Sequence, residues 1–129
     1  MKKIKKIKSN QKNGIVVSFS EVRNIPEVLK RGYLDLKSRP NNLSVDNPIW
    51  LIPNKDKTNY YSGIIFSLFG TFDKMERIDD SNRKPWPDGT DETLYTCRIY
   101  LNNMSPISYR DIPKYVTKNK MGQKGYNYI

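Results

Sequence analysis

Five carboxylates lie close together in the second half of the chain: Asp79, Asp80, Asp88, Asp91 and Glu92. Paired carboxylates can bind hard cations such as Mg²⁺, and such a site would suggest a metal-dependent nuclease. The spacing matches no ligand pattern, however, and no lysine follows Glu92 as a nuclease core of two acids and a lysine requires. We therefore interpret these acids as solvated side chains of a polar loop and expect no metal site.

The residues needed for nucleophilic catalysis are nearly absent. The 129-residue chain has no histidine and one cysteine, Cys97, so it can assemble neither a Ser-His nor a Cys-His pair. The same composition excludes an intramolecular disulfide and a multi-cysteine zinc site, and it is typical of a reducing, cytoplasmic location. We expect a protein that is not an enzyme, with no catalytic residue and no cofactor.

A tryptophan between two prolines is the most unusual local feature. Trp86 lies between Pro85 and Pro87, and Asp88 and Gly89 follow, so we expect no regular element to bury it. An indole held stiffly at the rim of a pocket can stack on a flat ring. It can equally close the end of a small barrel. Both interpretations are open from the residues alone.

The charge of the chain favours an anionic partner such as nucleic acid. Lys and Arg number 23 against 13 Asp and Glu, for a net charge of +10. Residues 1–12 hold six lysines and no acid, so we predict a basic, flexible arm at residues 1–13 before a single domain at residues 14–129. No apolar run approaches the length of a membrane span. We expect a monomer with no membrane partner.

Short elements must position these residues. The β-branched run at Ile15–Phe19 predicts a first strand. A helix is predicted near residues 25–31, with Asn24 as the capping side chain and Gly32 as the left-handed residue after its end. Residues 33–47 are interpreted as an irregular connection.

The rest of the chain predicts strands separated by polar segments. Residues 49–52 and 60–69 are predicted to form a hairpin, and Gly70 indicates a bulge or a close backbone approach. Residues 73–92 are predicted to form a long loop that carries Trp86, before an alternating strand at 94–101. A second short helix near residues 111–116 and a short strand or packed coil at the end complete the pattern. The fold class is α+β: a small curved β-sheet or partial β-barrel with two or three short helices.

Several segments, taken in order, resemble the EVE and YTH branches of the PUA-like superfamily, which bind modified bases in nucleic acid. The similar segments are the opening strand at 15–20, the stretch 32–43 after the helix, the glycine-containing strand at 61–65, Trp86 with the strand at 94–101, and the Asp111-Ile112-Pro113 step. The resemblance covers residues 14–116 and implies a PUA-like barrel.

The resemblance also implies an aromatic cage, in which two aromatic rings and an apolar residue enclose a methylated adenine or a modified cytosine. Tyr33 takes the place of the first aromatic, which is usually Trp in these families, Trp86 takes the second, and Leu94 takes the apolar wall. We expect Tyr33 and Trp86 to face each other across a gap as wide as one aromatic ring. Candidates for contacts to base edges are Ser38, Asn41 and Asn42. Candidates for phosphate contacts are Lys37, Arg39 and Lys84.

The sequence therefore predicts a nucleic-acid-binding module that recognises a modified, methylated base in RNA or DNA. The alternative is a protein-interaction or regulatory module that shares the fold without recognising a base. A magnesium-dependent nuclease is a third hypothesis, which depends only on the acidic loop.

Overall fold

Six strands and two α-helices make up the described part of the chain, which in this computed structural model is residues 14–54, 67–118 and 125–129. The strands are β1 (Ile15–Phe19), β2 (Tyr33–Leu36), β3 (Pro48–Pro53), β4 (Ser67–Arg77), β5 (Cys97–Ile107) and β6 (Asn127–Tyr128). The helices are α1 (Asn24–Arg31) and α2 (Lys114–Thr117), and 3₁₀ turns lie at Glu92–Leu94 and Tyr109–Asp111. The predicted α+β class is confirmed.

The strands form one mixed sheet in the order β2-β5-β4-β3-β1-β6. β1 and β3 are parallel, with Val16 opposite Trp50, and the other pairings are antiparallel. Parallel neighbours need a crossover, and here the crossover between them contains α1 and β2. Since β2 and β6 are edge strands, the sheet is open and does not close into a barrel.

The first strand and helix follow the sequence pattern. β1 spans the residues predicted for it, and α1 ends at Gly32, whose φ is 84° and whose N–H donates to the Val28 carbonyl at 2.7 Å. Glycine adopts this left-handed conformation without steric cost, so the predicted helix end is confirmed. The capping prediction is wrong, because the N-cap residue is Arg23 and Asn24 is the first helical residue.

Two segments predicted as loop are strand. β2 lies within the predicted connection at 33–47, and β4 continues to Arg77, five residues into the predicted loop at 73–92. Both segments pair with β5, with Leu36 and Arg77 on either side of Cys97. Their hydrogen bonds come from a strand distant in sequence, so neither the four residues of β2 nor the charged end of β4 carries a strong local signal.

β5 and the irregularity in its pairing with β4 also depart in part from the prediction. β5 begins at Cys97 rather than at residue 94 and runs on to Ile107. The pairing of β4 with β5 shifts register between Phe69 and Thr71, where Asn103 and Met104 of β5 lie opposite the single residue Gly70, so the irregularity expected at Gly70 is present and its extra residue is in β5. α2 begins at Lys114, inside the predicted helix at 111–116. The predicted arm at 1–13 and residues 60–66 of the predicted hairpin lie outside the described residues.

Two groups of buried apolar side chains cover the two faces of the sheet. The larger group includes α1 and Trp86: Ile15, Val17, Ile25, Val28, Leu34, Leu36, Ile49, Leu51, Leu68, Phe72, Trp86, Cys97, Ile99, Leu101 and Tyr126. The smaller group packs beneath α2: Val16, Trp50, Ile52, Ile112 and Val116. Because side chains alternate along a strand, the side chains of Val16 and Trp50 point to the other face of the sheet from those of their chain neighbours in the larger group. Neither described helix has the length and apolar character to span a bilayer.

Candidate functional site

Trp86 is buried and hydrogen-bonded rather than held at an open rim. Its side chain is 6% exposed, and the indole Nε1 donates to Asp35 Oδ2 at 2.9 Å. Asp35 is itself buried and accepts two more hydrogen bonds from Arg98, at 2.8 Å from Nε and 3.2 Å from Nη2. These three side chains, which we term the Trp86 network, satisfy one another in the interior.

The sheet register explains how the network forms. Asp35 on β2 lies directly opposite Arg98 on β5, so the carboxylate and the guanidinium project from the same face of the sheet. Burial disfavours the charge of Arg98, but the hydrogen bond to Asp35 and the Asp35 charge outweigh it and raise the pKa of Arg98. The Arg98 guanidinium therefore stays charged at physiological pH, and Trp86 covers the Arg98–Asp35 pair from the loop after β4.

Tyr33 and Trp86 do meet, but in a packed contact. Their ring centroids are 6.0 Å apart and the ring planes are at 88°, an edge-to-face arrangement. A cation lies over each ring: the guanidinium carbon of Arg31 is 4.2 Å from the Trp86 centroid, and that of Arg98 is 4.2 Å from the Tyr33 centroid. The ring-wide gap expected between two facing rings does not occur between them. Leu94 lies on a 3₁₀ turn and is 49% exposed.

Arg31 ties the tryptophan segment to the helix. Its Nε donates to Glu27 at 2.8 Å within α1, and its Nη2 donates to the Pro85 carbonyl at 2.6 Å. The guanidinium thus covers the indole face while it holds the backbone beside Trp86. The loop that carries Trp86 is therefore anchored to α1.

The candidates for base-edge contacts follow β2, where Tyr126 and Tyr128 approach the chain. The Asn41 N–H donates to the Tyr128 hydroxyl at 2.6 Å, and Ser38 is close enough to the Tyr126 hydroxyl to act against the rise in its pKa. Asn42 is exposed. The Asn41 backbone thus helps to fix this segment against the C-terminal strand.

Tyr126 is the buried anchor of that segment. Its hydroxyl donates to the Arg39 carbonyl at 3.0 Å, and only 2% of the residue is exposed. Burial, followed by the hydrogen bond with Tyr128, raises the pKa of Tyr126 to about 12. The phenol is therefore neutral well beyond physiological pH. The side chains of the phosphate candidates Lys37, Arg39 and Lys84 are exposed.

A cavity of about 140 Å³ lies where β1 and β2 end. We term it the strand-end cavity; it is lined by residues 17–20, residues 35–37, Asp88, Thr90, Tyr95 and Gly125. Pockets for drug-sized ligands have volumes of roughly 300–1,000 Å³, so this one suits a single small ring system. Of the sequence candidates, Lys37 lines the cavity, whereas Tyr33, Trp86 and Leu94 do not.

The strand-end cavity combines aromatic and polar groups. The half-buried residues Phe19 and Tyr95 line it together with Asp88 and Asp35, of which the Asp35 carboxylate is engaged by Trp86 and Arg98. Burial raises the pKa of Tyr95, the negative charges of Asp88 and Asp35 raise it further, and a hydrogen bond with Thr90 acts in the opposite direction. The Tyr95 hydroxyl is therefore neutral and can both donate and accept a hydrogen bond.

Asp88 is held in place by residues from two elements. One carboxylate oxygen accepts from the Asn24 side chain at 2.9 Å, and the other accepts from the Thr90 N–H at 2.9 Å. The Asn24 side-chain oxygen in turn accepts from the Asp88 N–H at 3.2 Å. Asn24, which the sequence pattern assigns to helix capping, instead joins α1 to the loop that lines the cavity.

The sequence interpretation did not identify Phe19, Asp35, Asp88 or Tyr95 as site residues. Phe19 completes a strand pattern, and Tyr95 falls on the side of a predicted strand that is otherwise apolar, so both are expected in the core. A weak signal was present, since each aromatic residue lies where a strand pattern meets a polar segment. The four residues come from three separate segments, and only the fold brings them together.

The acidic loop stabilises its own turns. Asp79 accepts hydrogen bonds from the hydroxyl and N–H of Ser81, and Asp91 accepts the same pair from Thr93. The hydrogen bond from the hydroxyl has the larger effect and that from the N–H the smaller, and both hold the pKa of each carboxyl below its usual value. Within residues 14–54, 67–118 and 125–129, no three His, Cys, Asp or Glu residues are grouped so that they could hold a metal ion.

Comparison with known proteins gives no relative: no family model, no curated protein and no solved structure matches the chain. The features that bear on function are therefore the strand-end cavity and the charge of the chain.

Proposed function

We propose that the chain is a nucleic-acid-binding module that recognises a modified, methylated base, and that the base enters the strand-end cavity. The observation that carries the proposal is the cavity itself. It has the size of one small ring system, and its walls combine the rings of Phe19 and Tyr95 with hydroxyl and carboxylate groups. The net charge of +10 supplies a general attraction for phosphates.

Recognition in such a cavity requires that the base leaves its stack. The cost of unstacking is offset by contact with the two aromatic side chains and by hydrogen bonds to the edge of the base. Asp88 is an acceptor, so it favours a base edge that presents an N–H donor. Val17 and Leu36 add apolar surface, where a methyl group gains about 0.8 kcal/mol on burial. Selectivity for the methylated base follows from this last contact.

The PUA-like fold and the EVE and YTH resemblance belong to the same proposal. The cavity is lined by the end of the opening strand, the segment after the helix and the segment after Trp86. These are three of the segments on which the resemblance rests. In our proposal the aromatic walls are Phe19 and Tyr95, and Trp86 supports the cavity through its hydrogen bond to Asp35.

Titration with matched oligonucleotides tests the proposal. We would measure fluorescence anisotropy with short single strands that contain one N6-methyladenine or one 5-methylcytosine, beside their unmodified counterparts. We expect one modified strand to bind at least about fourfold more tightly than its counterpart, which corresponds to one buried methyl group. Equal binding of every modified and unmodified strand would contradict the proposal and favour the protein-interaction alternative.

Two variants test whether the preference for the modified strand depends on the strand-end cavity. Phe19→Ala and Tyr95→Ala should each weaken binding of the modified strand, since loss of a base-aromatic contact costs about 1–3 kcal/mol. Tyr115→Ala is the matched control, because Tyr115 is 48% exposed and does not line the cavity. If both cavity variants kept the full preference, the base would bind elsewhere.

A further inference from the structure

Another cavity, of about 240 Å³, lies between the end of β4 and the start of β5. We term it the arginine-rimmed cavity; it is lined by Arg39, Met75, Glu76, Arg77, Thr96 and Cys97. Thr96 follows Tyr95, which lines the strand-end cavity, and donates from its N–H to Leu36 at 2.9 Å and from its hydroxyl to Lys37 at 3.0 Å. Consecutive residues thus line the two cavities, and hydrogen bonds to β2 and Lys37 fix the backbone there.

The sheet register determines which charges face this cavity. Arg77 lies opposite Cys97 in the pairing of β4 with β5, so both side chains are on one face of the sheet. Glu76 must project from the other face, where its carboxylate accepts a hydrogen bond from the Tyr100 hydroxyl at 2.7 Å. The acid among the lining residues is therefore engaged away from the two arginines.

The two arginine side chains of this cavity have no direct bonding partner among the described residues. In the described part of the chain, neither Arg39 nor Arg77 forms a side-chain hydrogen bond or an ion pair. Burial raises the pKa of the Cys97 thiol, against the opposing effect of the Arg39 charge, so the thiol is neutral and adds no negative charge. Asp79, which is close enough to Arg77 for the arginine to lower its pKa, is exposed and hydrogen-bonded to Ser81.

We propose that the arginine-rimmed cavity binds a phosphate group. Guanidinium forks match phosphate oxygens in bidentate geometry, and two arginines line this cavity together with Met75 and Cys97. If the function proposed above holds, the phosphate belongs to the strand whose base enters the strand-end cavity, because the consecutive residues Tyr95 and Thr96 line the two cavities.

Inorganic phosphate tests the site without any base. Thermal unfolding of the full chain would be measured in phosphate and in chloride at equal ionic strength. We expect phosphate at ten times its Kd to raise Tm by roughly 3–6 °C. Arg39→Gln and Arg77→Gln should each remove most of that rise, whereas the control Arg110→Gln, on an exposed arginine outside the cavity, should keep it. No rise in the unmodified chain, or a full rise in both cavity variants, would overturn the proposal.

Binding of an unmodified oligonucleotide shows whether the phosphate in this cavity belongs to a nucleic acid strand or is free inorganic phosphate. The slope of log K against log salt should be smaller in Arg39→Gln by about 0.7, the value for one lost phosphate contact on a single strand. An unchanged slope beside a lost response to inorganic phosphate would overturn the assignment to a nucleic acid strand. Both measurements are independent of base preference, so failure of the base proposal would leave the phosphate response intact.

Discussion

The Trp86 network and the strand-end cavity lie next to each other and share Asp35, yet they are built in opposite ways. In the network, the indole and guanidinium donors meet the Asp35 carboxylate, and the groups are buried together. In the cavity, Phe19 and Tyr95 are half-buried beside hydroxyl groups and the Asp88 carboxylate. A tryptophan that stands out in the sequence thus has a supporting role, and less conspicuous residues line the open site.

The contrast between the two regions shows that a residue with an unusual sequence context need not be the residue that binds a ligand. Trp86 is rigid because Asp35, Arg31 and its flanking prolines hold it, and the same contacts leave its ring no open face towards Tyr33. The cavity has the freer groups that a ligand requires. Substitutions in the network should therefore act on stability, and substitutions in the cavity should act on binding.

The largest expected effect is that of Asp35→Ala. It leaves the Arg98 guanidinium buried without its partner, and breaking a buried ion pair in this way costs about 3–5 kcal/mol. Urea unfolding should show this loss in the free energy of unfolding. Asp111→Ala, on an exposed carboxylate, is the control and should change stability by less than about 0.5 kcal/mol. A loss below about 1 kcal/mol for Asp35→Ala would contradict the claim that the Trp86 network stabilises the fold more than the cavity residues do.

A smaller effect is expected for Trp86→Phe, which keeps an aromatic ring but removes the donor to Asp35. Loss of a hydrogen bond to a charged group should lower the free energy of unfolding by about 1.5–3 kcal/mol. Trp50→Phe is a matched control, because Trp50 is also buried but its Nε1 has no hydrogen-bond partner in the described chain. Equal losses in the two variants would show that packing alone explains the role of Trp86.

Tyr126 allows a pH test of the segment after β2, which it anchors through the Arg39 carbonyl. Its pKa is raised from 10.0 to about 12 in the folded chain, so between these values the unfolded chain releases a proton that the folded chain retains. Its contribution to stability is therefore complete below pH 10 and is lost as the pH rises to about 12. Tyr126→Phe should cost about 1 kcal/mol at neutral pH and reduce this alkaline loss. An identical alkaline profile in the variant would contradict the assignment.

The smallest expected effect on stability is that of Tyr95→Phe, which removes one half-buried hydroxyl from the cavity. The free energy of unfolding should change by less than about 0.5 kcal/mol. Affinity for the preferred modified strand should fall about fivefold, the equivalent of one hydrogen bond of about 1 kcal/mol. Tyr33→Phe is the control for binding, since Tyr33 does not line the cavity. The same fall in both variants would remove the distinction between the two regions.

Local patterns predicted the elements whose signals lie within one segment. The β-branched run of β1, the glycine after α1 and the apolar run of β3 each identify their element from a few neighbouring residues. β2 was missed because its four residues become a strand only through pairing with β5, more than sixty residues away for Asp35 and Arg98.

The site was less predictable than the fold for the same reason. The contact that decides the role of Trp86 joins it to Asp35, 51 residues earlier, and no local pattern around Pro85 and Pro87 reports that contact. Phe19 and Tyr95 are ordinary strand-end aromatics until the fold brings them to one cavity. Lys37 was identified because an exposed lysine in a basic chain is a natural phosphate candidate wherever it lies.

The central claim is that a base binds in the strand-end cavity and leaves the Trp86 network intact. The most direct measurement is a ¹H–¹⁵N NMR titration of the chain with the preferred modified oligonucleotide. The account predicts large shifts for the amides of Ser18, Ser20 and Thr90, and a nearly unchanged signal for the Trp86 indole N–H, which stays bonded to Asp35. Large shifts at the Trp86 indole and at Tyr33, with unchanged cavity amides, would contradict it.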